Sequence, residues 1–274
     1  MTIETKQYKT IKVEKEDGIT WLYFNRPEKR NAMNPTLHKE MTEALEELEQ
    51  DDDTQVLVLT GAGDKSWCAG QDLKESMLDR DGQPRVRQRA GRPDWRSDIL
   101  PNFPAPTIAM VNGFCFGGAF TALIACDIAI AAEDAIFGLS EINWGSIPGG
   151  MVTKFVVDTL SFRNSTYYIM TGEPFDGKKA AEMGLVTKAV PRGSLKEETV
   201  KLARSFLDKN PYVLRACKET LKFCREMDLN EAKDYISAKG TALRSLDVEG
   251  GRDKGLRQFV VDKTYRPGFG PHKR

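Results

Sequence analysis

The chain has 274 residues with 40 basic and 40 acidic side chains, so no global field draws it to nucleic acid or to an anionic membrane. Hydrophobic residues make up 40% and charged residues 29%, the balance of an ordinary globular protein with room for one large core. No run of about 18 apolar residues exists, which argues against a membrane span.

The opening stretch, "MTIETKQYKTIKVEKEDG", lacks both the apolar centre of a secretion signal and the Arg/Ser bias of a transit peptide. A cytoplasmic location is expected. "TIKVEKEDGITWLYFN" alternates in character and turns at Asp-Gly, which predicts a β-hairpin. From Pro35, Leu37, Met41, Leu45 and Leu48 recur at helical spacing behind an Asn-Pro start. "QVLVLTGAG" and "APTIAMVNG" are continuous apolar runs ending in glycine, as buried strands are. "GGAFTALIACD" reads as a helix, and "IAIAA" and "AIFG" as strands. Strands alternating with helices predict an α/β core. Beyond residue 151 the patterns are helical apart from "LVTKAV", and a helical C-terminal region begins near residue 200.

The five cysteines (Cys68, Cys115, Cys126, Cys217, Cys224) are odd in number and mostly set in apolar stretches, which suits reduced thiols better than a disulfide framework. Only His38 and His272 are available, and both read as surface residues. A His-rich zinc site is excluded, and no metal is expected. Residues 79 to 98 carry Arg80, Arg85, Arg87, Arg89, Arg92 and Arg96 among four aspartates. They read as a solvated or mobile loop, or else as a patch or lid meeting a phosphorylated ligand.

Two glycine-containing turns follow buried strands: "WCAGQDLKE" (67–75) and "NGFCFGGAFT" (112–121). A turn feeding a helix leaves N–H groups unpaired, and two such turns can aim two donors at one oxygen. Neither matches a dinucleotide loop or a P-loop. "FGLSEINWG" (137–145) sets Glu141 among Phe137, Leu139, Ile142 and Trp144. Burial there would raise its pKa and suit it to proton transfer, whereas a strand-to-loop transition would turn it outward.

Together, "NRPEKRNAM", "CAGQDLKE", "NGFCFGGAF", "ACDIAIA", "FGLSEINWG" and "AAEMGLV" resemble the crotonase (enoyl-CoA hydratase/isomerase) superfamily, in order and spacing, over about residues 10 to 265. The resemblance implies an α/β fold with a ββα spiral core, the ClpP/crotonase-like fold. Residues 1–200 would hold a CoA-thioester site and residues 201–274 a C-terminal helical trimerisation region, giving a homotrimer or a hexamer of two trimers. It further implies that the amides of Gln71 and Gly118 hold the thioester oxygen of an acyl-CoA. Lys29, Ala69 and Leu73 would line the CoA channel, and Trp144 joins the substrate-binding set. CoA is then the acyl carrier, with no other cofactor.

Simple hydratases of this family use two glutamates. The second corresponds to Glu141, but the first position, three residues after Gly118, is Thr121. A hydroxyl can orient water without acting as a base at neutral pH. "FGLSEINWG", "YYIMTGEPFDGKKAAEMGLV" and "YRPGFG" look most like the hydroxycinnamoyl-CoA hydratase-lyases, which likewise have one glutamate and a small hydroxylic residue where Thr121 stands. That resemblance implies hydration of an aryl-acrylyl-CoA, then retro-aldol cleavage to an aromatic aldehyde and acetyl-CoA. The alternative is an enoyl-CoA hydratase or isomerase acting on a non-phenolic acyl-CoA. In the lyases two tyrosines hold the substrate phenol, and here Ser76 and Ser237 occupy those positions while Tyr235 matches a neighbouring tyrosine. A scaffold or RNA-binding role finds little support in a neutral chain with an intact site.

Overall fold

In the computed structural model, which describes residues 4–77, 93–246 and 250–264, an edge strand β1 (Glu4–Gln7) leads into a hairpin of β2 (Ile11–Glu16) and β3 (Ile19–Phe24). Asp17 and Gly18 take positive φ values of 49° and 81° at its turn, as a two-residue hairpin loop requires. Helix α1 (Pro35–Glu49) starts where Asn34 accepts a hydrogen bond from the Leu37 amide. Its buried stripe is Leu37, Met41, Ala44, Leu45 and Leu48, each large side chain contributing roughly 2 kcal/mol by leaving water.

The chain then winds through repeated strand–strand–helix steps. Strand β4 (Val56–Gly61) is followed by short β5 (Ser66–Cys68) and α2 (Leu73–Met77). Strand β6 (Thr107–Val111) is followed by β7 (Phe114–Phe116) and α3 (Ala119–Ala125). Strands β8 (Ile128–Ala132) and β9 (Ile136–Gly138) precede α4 (Val152–Thr159) and α5 (Phe162–Thr171). Then come β10 (Phe175–Asp176), α6 (Gly177–Glu182), β11 (Lys188–Val190) and α7 (Leu195–Leu207).

The first strand of each step joins a seven-stranded sheet of order β1-β2-β3-β4-β6-β8-β11, parallel from β3 onward. The second joins a four-stranded sheet of order β10-β9-β7-β5. Every residue of β4 and β6 is buried, which is why their sequences are unbroken apolar runs rather than alternating ones. Trp67 of β5 is fully buried, edge-on to Phe24 at 5.2 Å, and its indole N–H donates to the Leu59 carbonyl.

The chain divides into two compact units, residues 1–103 with 107–203, and residues 104–106 with 204–274. The second contains α8 (Pro211–Cys224), α9 (Leu229–Leu246) and α10 (Gly251–Val260). None of these three helices buries a residue, and Leu221, Leu229 and Val261 stand open to solvent. Among the described residues no helix is long and apolar enough to cross a membrane.

Candidate active site

Two turns meet at the strand ends of the smaller sheet. The first, Ala69–Asp72, carries β5 into α2, and the second, Gly117–Gly118, carries β7 into α3. Gly70 adopts φ +85°, and a Cβ there would sit 2.5 Å from the Phe116 carbonyl oxygen and 3.4 Å from the Gly118 nitrogen. The turns therefore touch through bare backbone. The amides of Gln71 and Gly118 donate to nothing among the described residues. Unpaired N–H groups of this kind are able to donate to a negatively charged oxygen.

The first turn is fastened to the loop before α1. Met33 N–H donates to the Gly70 carbonyl and Asp72 N–H to the Met33 carbonyl, both at 2.8 Å, while Ala69 N–H reaches the Arg30 carbonyl. Arg26, its side chain 8% exposed, bonds the Ala32 carbonyl, Asp72 at 3.1 Å and Glu75 at 2.6 Å. Asn31 is fully buried and donates to the carbonyls of Ala62 and Ser66. Burial alone would raise the Asp72 pKa, yet the Glu75 amide, Arg26 and the charge of Lys29 outweigh it and hold the carboxyl below its ordinary range. Its contribution to stability is therefore complete above the usual aspartate pKa and is lost as pH falls through the lower, folded one.

The Arg26–Asp72 pair makes Arg26 a strong test of this frame. Arg26→Met keeps the length of the side chain but leaves Asp72 with only the Glu75 amide and the charge of Lys29, so an unfolding free energy lower by about 2 kcal/mol is expected in urea titration. A loss under about 1 kcal/mol would show that the frame does not depend on the pair.

Glu141 enters from the opposite side, on a 3-10 turn (Ser140–Trp144) that leaves β9. It is 8% exposed, and its Oε2 is buried without a hydrogen-bond partner in the structure. Gly117, at φ +52°, leaves room for the carboxylate, since a Cβ there would lie 2.7 Å from Glu141 Oε1. Burial pushes the Glu141 pKa above that of an ordinary glutamate. Phe137 and Leu139 pack inward, whereas Ile142 and Trp144 are about half exposed. Glu141 is thus the carboxylate that the apolar run turns inward. It shares a cavity of about 200 Å³ with Gln71, Gly118, Ala69, Leu73 and Trp144.

The cavity lining does not include the other expected site residues. Thr121 sits in the first turn of α3, 1% exposed, with an Oγ1 that has no partner in the structure, and the cavity lining does not include it. Lys29 is exposed on the 3-10 turn Pro27–Lys29, and its charge reaches Asp72. Ser76 is half-buried and accepts a 2.5 Å hydrogen bond from the Gln71 side chain. Tyr235 and Ser237 belong to α9 of the second unit, where the Tyr235 ring packs edge-on to Phe223 at 5.8 Å.

His38 is not the surface residue that its sequence context suggested. The Trp95 indole N–H donates to His38 Nδ1 at 3.0 Å, so Nε2 carries the proton and donates to Gln71 Oε1, also at 3.0 Å. Nothing in "NPTLHKE" foretells this, because both partners come from distant loops. Arg80, Arg85, Arg87, Arg89 and Arg92 lie outside the described residues. Arg96 is described, and it is turned into the cavity rather than solvated.

The sequence profile of the enoyl-CoA hydratase/isomerase family matches residues 14–265. The chain is 54% identical over 271 residues to a hydroxycinnamoyl-CoA hydratase-lyase of Pseudomonas fluorescens, covering 98% of both chains. It is 31% identical to an (E)-benzylidenesuccinyl-CoA hydratase of Thauera aromatica, across 91% of this chain and 95% of the other. The crystal structure of an enoyl-CoA hydratase from Bacillus anthracis superposes with a TM-score of 0.81 at 28% identity, over 98% of this chain and 99% of that one.

Proposed function

The chain belongs to the enoyl-CoA hydratase/isomerase family, and from that premise we propose that it is an acyl-CoA hydratase-lyase acting on aryl-acrylyl-CoA thioesters. The observation that carries this reading is one buried carboxylate, Glu141, facing two unpaired amides, with Thr121 where a two-glutamate hydratase has its other acid. The thioester oxygen binds at Gln71 and Gly118. Glu141 takes a proton from water as its oxygen adds to the β-carbon, and the two amides stabilise the resulting enolate until Glu141 returns that proton to the α-carbon. Glu141 then removes the proton of the β-hydroxyl, the Cα–Cβ bond breaks, and its electron pair returns to the same enolate position. Protonation gives acetyl-CoA beside an aromatic aldehyde, so one water and one thioester account for both products. The raised pKa of Glu141 suits a group that must both accept and return protons.

Coenzyme A is the substrate's own handle in this scheme, lying along Lys29, Ala69 and Leu73, and neither metal nor further cofactor enters. Thr121, whose buried Oγ1 is left without a partner, acts on the β-hydroxyl through an intervening water, and Ser76 and Trp144 contribute to acyl-group binding. The apolar side chains left uncovered on α8, α9 and α10 support assembly as a trimer or a pair of trimers. Five free cysteines, three of them buried, support a reducing cytoplasmic location.

Thr121→Val separates the two chemical stages. The change removes the hydroxyl and keeps the volume, so cleavage should suffer more than hydration. Given feruloyl-CoA, the parent protein is expected to release aldehyde, and the variant to release less while 3-hydroxyacyl-CoA accumulates. Conversion of crotonyl-CoA without any aldehyde from feruloyl-CoA or coumaroyl-CoA, in either protein, would instead identify a hydratase for another acyl group.

A further inference from the structure

We propose that Arg96 is a third donor to the thioester oxygen, acting beside the amides of Gln71 and Gly118; the proposal rests on the acyl-CoA reading above. The helical turn Trp95–Ile99 that carries it is pinned by Trp95, which is buried against Phe24 and bonded to His38. The Arg96 side chain is 12% exposed and lines the cavity that contains Gln71, Gly118 and Glu141. A Cβ built on Gly118 marks a point in front of its backbone. Arg96 Nη1 lies 3.2 Å from that point, and the Gln71 nitrogen lies 3.8 Å from it. Arg96 Nη1 and the Gln71 nitrogen therefore both border Gly118 where it lines the cavity.

The hydrogen bonds of the guanidinium say how it can be used. Nε donates to Asp94 Oδ1 at 2.9 Å and Nη2 to Asp94 Oδ2 at 2.5 Å, a two-point pairing that fixes the plane of the group. Nη1 makes one long contact, 3.3 Å, to the Gly118 carbonyl and retains a second N–H for the cavity. Burial works against the Asp94 charge, but the hydrogen bonds and charge of Arg96 overcome it and keep the carboxyl ionised. Because the pair is neutral overall, the uncharged thioester of the ground state gains little from it. Negative charge developing on the oxygen gains a fixed donor.

Arg96→Met and Arg96→Lys test this by two readouts. With feruloyl-CoA, Arg96→Met should lower kcat by about a hundredfold with KM within a few-fold, at an unchanged ratio of aldehyde to hydrated intermediate, since both stages use the same enolate. Lysine should restore part of the rate. The second readout needs no turnover: bound 4-(dimethylamino)cinnamoyl-CoA absorbs at longer wavelength as its carbonyl is polarised, and Arg96→Met should shrink that shift. A parental shift and kcat in Arg96→Met, or a loss confined to KM, would overturn the assignment. Parent protein that releases no aldehyde, yet shows an absorbance shift dependent on Arg96, would remove the lyase reading and leave Arg96 in place.

Discussion

Glu141→Gln is expected to bind acyl-CoA as the parent does and to lose between about a hundredfold and ten-thousandfold in turnover, the range for removal of a general acid–base group. The substitution keeps shape and hydrogen-bonding capacity while deleting the titrating proton. It should also reveal what the buried charge costs. A pKa raised on folding means that the ionised form is less favourable in the folded chain than in the unfolded one. The neutral carboxyl carries no such cost below the unfolded pKa, and the cost is complete once pH exceeds the folded one. At pH 7 the Gln variant should therefore melt at or above the parental midpoint, and the difference should fade as pH falls toward the ordinary glutamate range. The acid limb of the parental kcat/KM profile should lie above that range for the same reason. Turnover within a few-fold of the parent would make Glu141 a structural residue.

Gly70→Ala is expected to remove most activity from a different direction. Position 70 needs φ +85°, which costs an L residue about 1 kcal/mol, and the added methyl would lie 2.5 Å from the Phe116 carbonyl. That obstacle is backbone and cannot rotate away, so the Ala69–Asp72 turn has to move. The Gln71 amide belongs to the peptide immediately after Gly70 and moves with it. One misplaced oxyanion donor is enough for a loss of about a hundredfold in kcat, accompanied by a lower melting midpoint. Parental kcat and midpoint together would show that neither the close approach nor the left-handed turn matters.

Much of this could be read from residue patterns, and the exceptions share a cause. The Asp17–Gly18 hairpin, α1 behind Asn34, and the buried strands β4 and β6 all declare themselves because their signals are local. Strands β5 and β7 were not foreseen, for three residues apiece are too few to show a period. The same holds at the site. Glu141 stood out as a lone carboxylate among apolar residues, and the two glycine turns stood out after their strands. Arg26, His38 and Arg96 did not, because each acquires its role from partners 22 to 57 positions away: Asp72 and Glu75, Gln71 and Trp95, and Gly118 with its turn. A charged or imidazole side chain in a polar stretch carries the same local signature whether it is solvated or buried by such contacts.

The central claim is that one enolate site, with Glu141 as its single carboxylate, serves both hydration and carbon–carbon cleavage. It is tested most directly by following feruloyl-CoA with the purified full-length protein and quantifying thioesters and aldehyde by chromatography over time. The account predicts aldehyde and acetyl-CoA in equal amounts, each matching the feruloyl-CoA consumed, with both lost in Glu141→Gln. Accumulation of the 3-hydroxyacyl-CoA as the end product, with neither aldehyde nor acetyl-CoA formed, would contradict it.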